Sequence, residues 1–104
     1  MKDRKIDERL KRIADHYGLN DQADKLVEEM AELMVAITHL KKRHENAADY
    51  MDNFVEELAD VRIVVEQLIY LLGDDYRSDF DREIESKIKR TLARMQVEER
   101  HEVR

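Results

Sequence analysis

The stretch Leu26-Val27-Glu28-Glu29-Met30-Ala31-Glu32-Leu33-Met34-Val35-Ala36-Ile37-Thr38-His39-Leu40 decides the fold. Leu26, Met30, Leu33, Ile37 and Leu40 fall at i, i+4, i+7, i+11 and i+14, the stripe of an amphipathic helix. The pattern returns 28 positions later, from Phe54 to Leu68. Val27 matches Val55, Glu28 matches Glu56, Glu29 matches Glu57, Ala31 matches Ala59, Glu32 matches Asp60 and Leu40 matches Leu68. Two acidic helices therefore carry their charges in the same phase against their apolar stripes.

Phase says where those charges point. At about 100° per residue, Glu29 falls between Ala36 and Leu40, inside the apolar arc, and Glu57 falls likewise between Val64 and Leu68. Glu32 and Asp60 sit on the shoulder of the arc. Glu28 and Glu56 turn toward solvent. Acids three apart on a helix project from one side, so two such helices face to face gather four carboxylates. An unpartnered carboxylate on a core-facing arc costs several kcal/mol or shifts its pKa. Two at matching positions imply a shared partner, and a hard divalent cation such as Mg²⁺ is the simplest. Taken singly, an acid-x-x-acid pair on a charged helix is most simply solvated surface.

The rest of the chain reads as helix too. It holds no Pro and only two Gly, Gly18 and Gly73, and it is rich in helix formers. Ile6, Leu10, Ile13 and Tyr17 predict a first helix over roughly 3–17, with Gly18 closing it. Asn20 or Asp21 caps a second, running to about Arg43 with Lys41, Lys42 and Arg43 at its negative end. The polar segment from His44 to Asp52, with cap candidates Asn46, Asp49 and Asp52, reads as a connection. A third helix runs from near Asp52 to Leu72, closed by Gly73. Asp74-Asp75-Tyr76-Arg77 reads as a turn and Ser78 with Asp81 as a capping box. Phe80, Ile84, Ile88, Leu92 and Met95 form the stripe of a fourth helix, with a frayed tail after about Glu98. The expectation is an all-α, four-helix bundle forming a single domain over 1–104. The third helix is apolar around nearly its whole circumference, which calls for burial on all sides. A monomer of 104 residues scarcely provides that, so a homo-oligomer is expected.

Composition excludes several classes. The net charge of −6 opposes general nucleic-acid binding. The absence of Cys excludes disulfides, thiolate zinc and a cysteine nucleophile. His16, His39, His44 and His101 lack metal-ligand spacing. No stretch approaches the ~20 apolar residues of a membrane span, and Met1-Lys2-Asp3-Arg4-Lys5 leads into a charged helix rather than an apolar leader core. The expectation is a soluble, cytoplasmic protein that binds neither nucleic acid nor membrane.

Gln22 and Leu26 to Leu33, then Asn53 to Val61, then Lys87-Ile88-Lys89-Arg90 resemble the MazG-like branch of the all-α nucleoside triphosphate pyrophosphohydrolases. The hallmark there is Glu-x-x-Glu, a gap of some two dozen residues, and Glu-x-x-Asp. The likeness spans about residues 20–95. It implies a helical bundle working as a homodimer or homotetramer, with Mg²⁺ or Mn²⁺ as cofactor and an NTP or dNTP as substrate, hydrolysed to the monophosphate and pyrophosphate. Carried over by position, Glu29, Glu32, Glu57 and Asp60 would hold metal. Glu28 or Glu29 would serve as base toward the attacking water, and Lys87, Arg90, Asn53 and Gln22 would meet substrate. Phosphoribosyl-ATP pyrophosphohydrolase resembles the same helices and acids, and a non-catalytic helical oligomerisation module is the alternative from another class. Arg62 reads as an i+4 partner of Glu66 or as a phosphate contact. Phe54 and Tyr50 are the candidate aromatics for a base.

Overall fold

A computed structural model describes residues 6–42 and 47–102. These residues form three helices and no strand: α1 (Glu8–Lys42), α2 (Ala47–Leu72) and α3 (Asp74–Glu102). The all-α expectation holds. The four-helix count does not, because the two helices expected before residue 43 are one element broken at Gly18.

Asp7 starts α1. Its Oδ1 accepts a hydrogen bond from the Arg9 backbone N–H at 2.8 Å, and its carbonyl accepts from Leu10 and Lys11, the geometry of an N-cap. The Arg9 guanidinium beside it holds the Asp7 carboxyl down at about 2. The helix thus begins later than residue 3. At Gly18 the backbone turns to φ 87° and ψ 172°, a region almost closed to residues with a Cβ. Helix resumes at once, so Asn20 and Asp21 lie within it instead of capping it.

The connection is also shorter than the polar run suggested. α2 starts at Ala47, with Asp49 in its first turn; Asn46 and Arg43 lie outside the described residues. Helix propensity and packing against α1 override the polarity of 47–52. α2 ends at Leu72, as expected, with Gly73 at φ 100°. The expected turn at 74–77 and the capping box at Ser78 and Asp81 are instead helical. The Arg77 N–H donates to the Gly73 carbonyl and α3 continues to Glu102.

α1 and α2 form an antiparallel hairpin. Tyr70 meets Asp15, Gln67 meets Gln22 and Tyr50 meets His39, in opposite order along the two helices. The Tyr70 hydroxyl donates to the Asp15 carboxylate, 2.9 Å away. α3 touches α2 and not α1. It is tied at its start by Arg77, whose Nη1 donates to Glu66 Oε2 at 3.1 Å. Glu66 is therefore the partner of Arg77, and the expected Arg62–Glu66 pair does not form. No residue of α3 is buried.

The core is thin. Ala14, Ala36 and Val64 are the buried apolar side chains among the described residues, while Val27 and Met34 are 68% and 67% exposed. On α2, Met51, Val55, Leu58, Ile63 and Leu72 are exposed as well. The radius of gyration is 17.7 Å, against about 13 Å for a compact chain of this length. No described helix is long and apolar enough to cross a membrane.

Candidate metal centre

The hairpin brings Glu29 and Glu32 of α1 against Glu57 and Asp60 of α2. One carboxylate oxygen from each lies within 4.8 Å of the others. Burial follows the phase read from the sequence: Glu29 is 5% exposed, Glu57 is half-buried, and Glu32, Asp60 and Glu28 are exposed. The cause is the packing below. Ala36 lies seven residues after Glu29 and Val64 seven after Glu57, two turns along the same faces, and both are buried in the hairpin.

Two oxygens have no partner. Glu29 Oε2 and Glu57 Oε2 are buried without a hydrogen bond. An orphaned buried carboxylate oxygen loses its hydration with nothing in return. Burial and then the neighbouring Glu32 and Asp60 carboxylates push Glu57 above the usual carboxylate range. On α1 the strain is relieved by Lys25, whose Nζ lies 3.0 Å from Glu29 Oε1 and 3.9 Å from Glu28 Oε1. Glu29, and then Glu28, hold the Lys25 ammonium above its usual value.

The donor set fits a hard divalent ion. All four groups are oxygen ligands, as Mg²⁺ requires. Octahedral Mg²⁺ sets opposite ligands about 4.2 Å apart, so small rotamer movements would close the observed cluster onto an ion. Such an ion would occupy both orphaned oxygens.

A cavity of about 420 Å³ opens beside the cluster. Glu29 and Asp60 border it together with Lys25, Gln22, Gln67 and the apolar Ile13 and Ile63. Gln22 is buried, and its Nε2 donates to Gln67 Oε1. Gln67 is 1% exposed, and its own Nε2 donates to the Leu10 carbonyl at 3.4 Å.

The remaining sequence candidates lie elsewhere. Asn53 is half-buried one turn before Glu57. Lys87 and Arg90 are exposed on α3, with Lys87 Nζ 3.9 Å from Glu83, and neither borders the cavity. Tyr50 stacks at a tilt on His39, centroids 5.5 Å apart, and Phe54 is half-buried. Sequence reasoning missed Lys25 and Gln67. A Lys four residues before Glu29 and a lone Gln seven residues after Asp60, on the same helical faces, were the available signals.

Against known proteins, the model of the MazG-like family matches residues 22–104. The chain belongs to the MazG-like family. The match takes in all four acids, both arms of the hairpin that carry them and the whole of α3. No curated protein and no solved structure gives a match. Within this MazG-like chain the four acids are the described group whose atoms converge as metal ligands would.

Proposed function

We propose that this MazG-like protein is a Mg²⁺-dependent nucleoside triphosphate pyrophosphohydrolase, cleaving an NTP or dNTP to the monophosphate and pyrophosphate. One observation carries the reading: two orphaned buried carboxylate oxygens, on facing helices, within a set of four acids. A structural cluster would be expected to satisfy its buried oxygens within the protein.

Glu29, Glu32, Glu57 and Asp60 would hold Mg²⁺, or Mn²⁺ in its place. When bound, the metal polarises the α-phosphoryl group and lowers the pKa of the attacking water. A carboxylate, Glu28 or Glu29, takes the proton of that water as its oxygen attacks the α-phosphorus. The bond from the α-phosphorus to the bridging oxygen breaks, and pyrophosphate leaves with that oxygen. The adjoining cavity, with amide groups at Gln22 and Gln67 and apolar walls, suits a nucleoside. Asn53 is assigned to the substrate side from α2.

Lys87 and Arg90 would grip phosphate from α3. In one chain α3 does not touch α1, so these cations serve the site in a homodimer or homotetramer. The exposed apolar side chains and the thin core support that assembly. The working form is thus a homo-oligomer of one MazG-like domain per chain, 1–104, acting in the cytoplasm on nucleotides and not on nucleic acid or membrane. Light scattering that gives a stable monomer at micromolar concentration contradicts the assembly.

A panel of NTPs, dNTPs and phosphoribosyl-ATP with Mg²⁺, followed by pyrophosphate release, tests the activity. Turnover of NTPs or dNTPs supports the proposal. Turnover of phosphoribosyl-ATP alone moves the protein to the histidine-pathway type of reaction. Turnover of none removes the enzyme reading and leaves a helical oligomerisation module.

A further inference from the structure

Lys25 is the one basic residue among those bordering the cavity. Its Nζ is 3.0 Å from Glu29 Oε1, while the other oxygen of that carboxylate is orphaned. The pair runs from Lys at i to Glu at i+4, the weaker of the two orders for supporting a helix. Helix stabilisation therefore gives little reason for it. Its side chain is half-exposed, so the flexible stem is free to swing.

We propose that Lys25 is a stand-in cation: it neutralises Glu29 while no metal is bound and transfers to a substrate phosphate when metal takes its place. The inference rests on the metal-centre reading above. A divalent ion held by Glu29 repels the ammonium at that distance, and the displaced Nζ remains beside the same cavity. Four carboxylates outweigh the two charges of one divalent ion, so an arriving triphosphate meets net negative charge. Lys25 is the resident group that answers it. Its counterpart on α2 by the internal repeat is Asn53, which carries no charge and is no substitute.

A lysine that competes with metal but assists phosphate gives effects of opposite sign. Mn²⁺ alone is titrated by electron paramagnetic resonance, and Mg²⁺-tripolyphosphate, which has no base, by calorimetry, on the full chain. Lys25→Gln binds Mn²⁺ about three- to tenfold more tightly and Mg²⁺-tripolyphosphate at least tenfold more weakly. Lys25→Met, which keeps the apolar stem, repeats both results, and Lys25→Arg recovers most of the phosphate affinity. Weaker Mn²⁺ binding in Lys25→Gln overturns the proposal, because Lys25 would then merely position Glu29. Unchanged tripolyphosphate binding overturns it too, as does an unmodified protein that binds no Mn²⁺. Neither titration involves hydrolysis. A protein that turns over no nucleotide but shows the opposed shifts loses the proposed activity and keeps this role for Lys25.

Discussion

The two arms of the acidic hairpin are near-copies that treat their buried acids differently. On α1, Glu29 is the more deeply buried, yet Lys25 stands one turn ahead and neutralises it. On α2, Glu57 has Asn53 in the equivalent place and is pushed upward by burial and by Glu32 and Asp60. One arm is charge-balanced without metal and the other is not. The difference teaches that the site stores its unfavourable electrostatics on α2, and that α2 gains most from a bound cation.

Breaking the α2 arm gives the largest effect. Glu57→Gln is expected to lower turnover by about 100-fold or more, the scale on which one group stabilising developing charge acts. It should also raise the denaturation midpoint in EDTA, since a neutral amide escapes the repulsion. Glu29→Gln should lower turnover comparably but not raise that midpoint, because it strips Lys25 of its partner. Equal stability changes in the two variants would erase the asymmetry.

Next in size is the amide chain beneath the cavity. Gln67→Leu leaves Gln22 Nε2 and the Leu10 carbonyl without their partner, at a cost of about 1–3 kcal/mol, read as a lower melting temperature. An unchanged melting temperature would mean that Gln67 is not anchoring the hairpin.

Making the arms alike tests the comparison most pointedly. Asn53→Lys supplies α2 with the cation that α1 has. It should bring Glu57 back toward the ordinary carboxylate range and weaken Mn²⁺ binding about tenfold, the ratio that one unit of pKa represents. Calorimetry in parallel with a pH titration reads both.

The smallest effect is a pH step without metal. Folded Glu57 holds its proton more tightly than it does unfolded. That contribution to stability is full below the unfolded value of about 4.3 and is lost as pH rises through the higher folded value. Denaturation midpoints in EDTA should therefore fall as pH rises above about 4.3. The step should be absent in Glu57→Gln, and added Mg²⁺ should reverse it. A midpoint that rises across the same window contradicts the assignment.

Much of this was legible in the chain itself. The stripes gave the helical class, and the phase of Glu29 against Ala36 and of Glu57 against Val64 placed the deep acids correctly, because helical geometry is fixed by backbone hydrogen bonds. Boundaries fared worse. Gly18 breaks α1 without separating two helices, and residues 47–52 and 74–77 are helical despite polar or turn-like sequence, since packing and continuation of a neighbouring helix outweigh local preference. Lys25 and Gln67 escaped because their meaning depends on what faces them, Glu29 in one case and Gln22 in the other. Partner choice is tertiary. The same holds for Glu66, which α3 supplies with Arg77 before Arg62 reaches it.

A crystal of the protein grown with Mn²⁺, read by anomalous diffraction, tests the central claim most directly. The expected result is Mn²⁺ between α1 and α2, coordinated by oxygens of Glu29, Glu32, Glu57 and Asp60, with Lys25 Nζ moved off Glu29. Mn²⁺ bound elsewhere, or a cluster that keeps the Lys25–Glu29 pair and takes no ion at saturating metal, would contradict it.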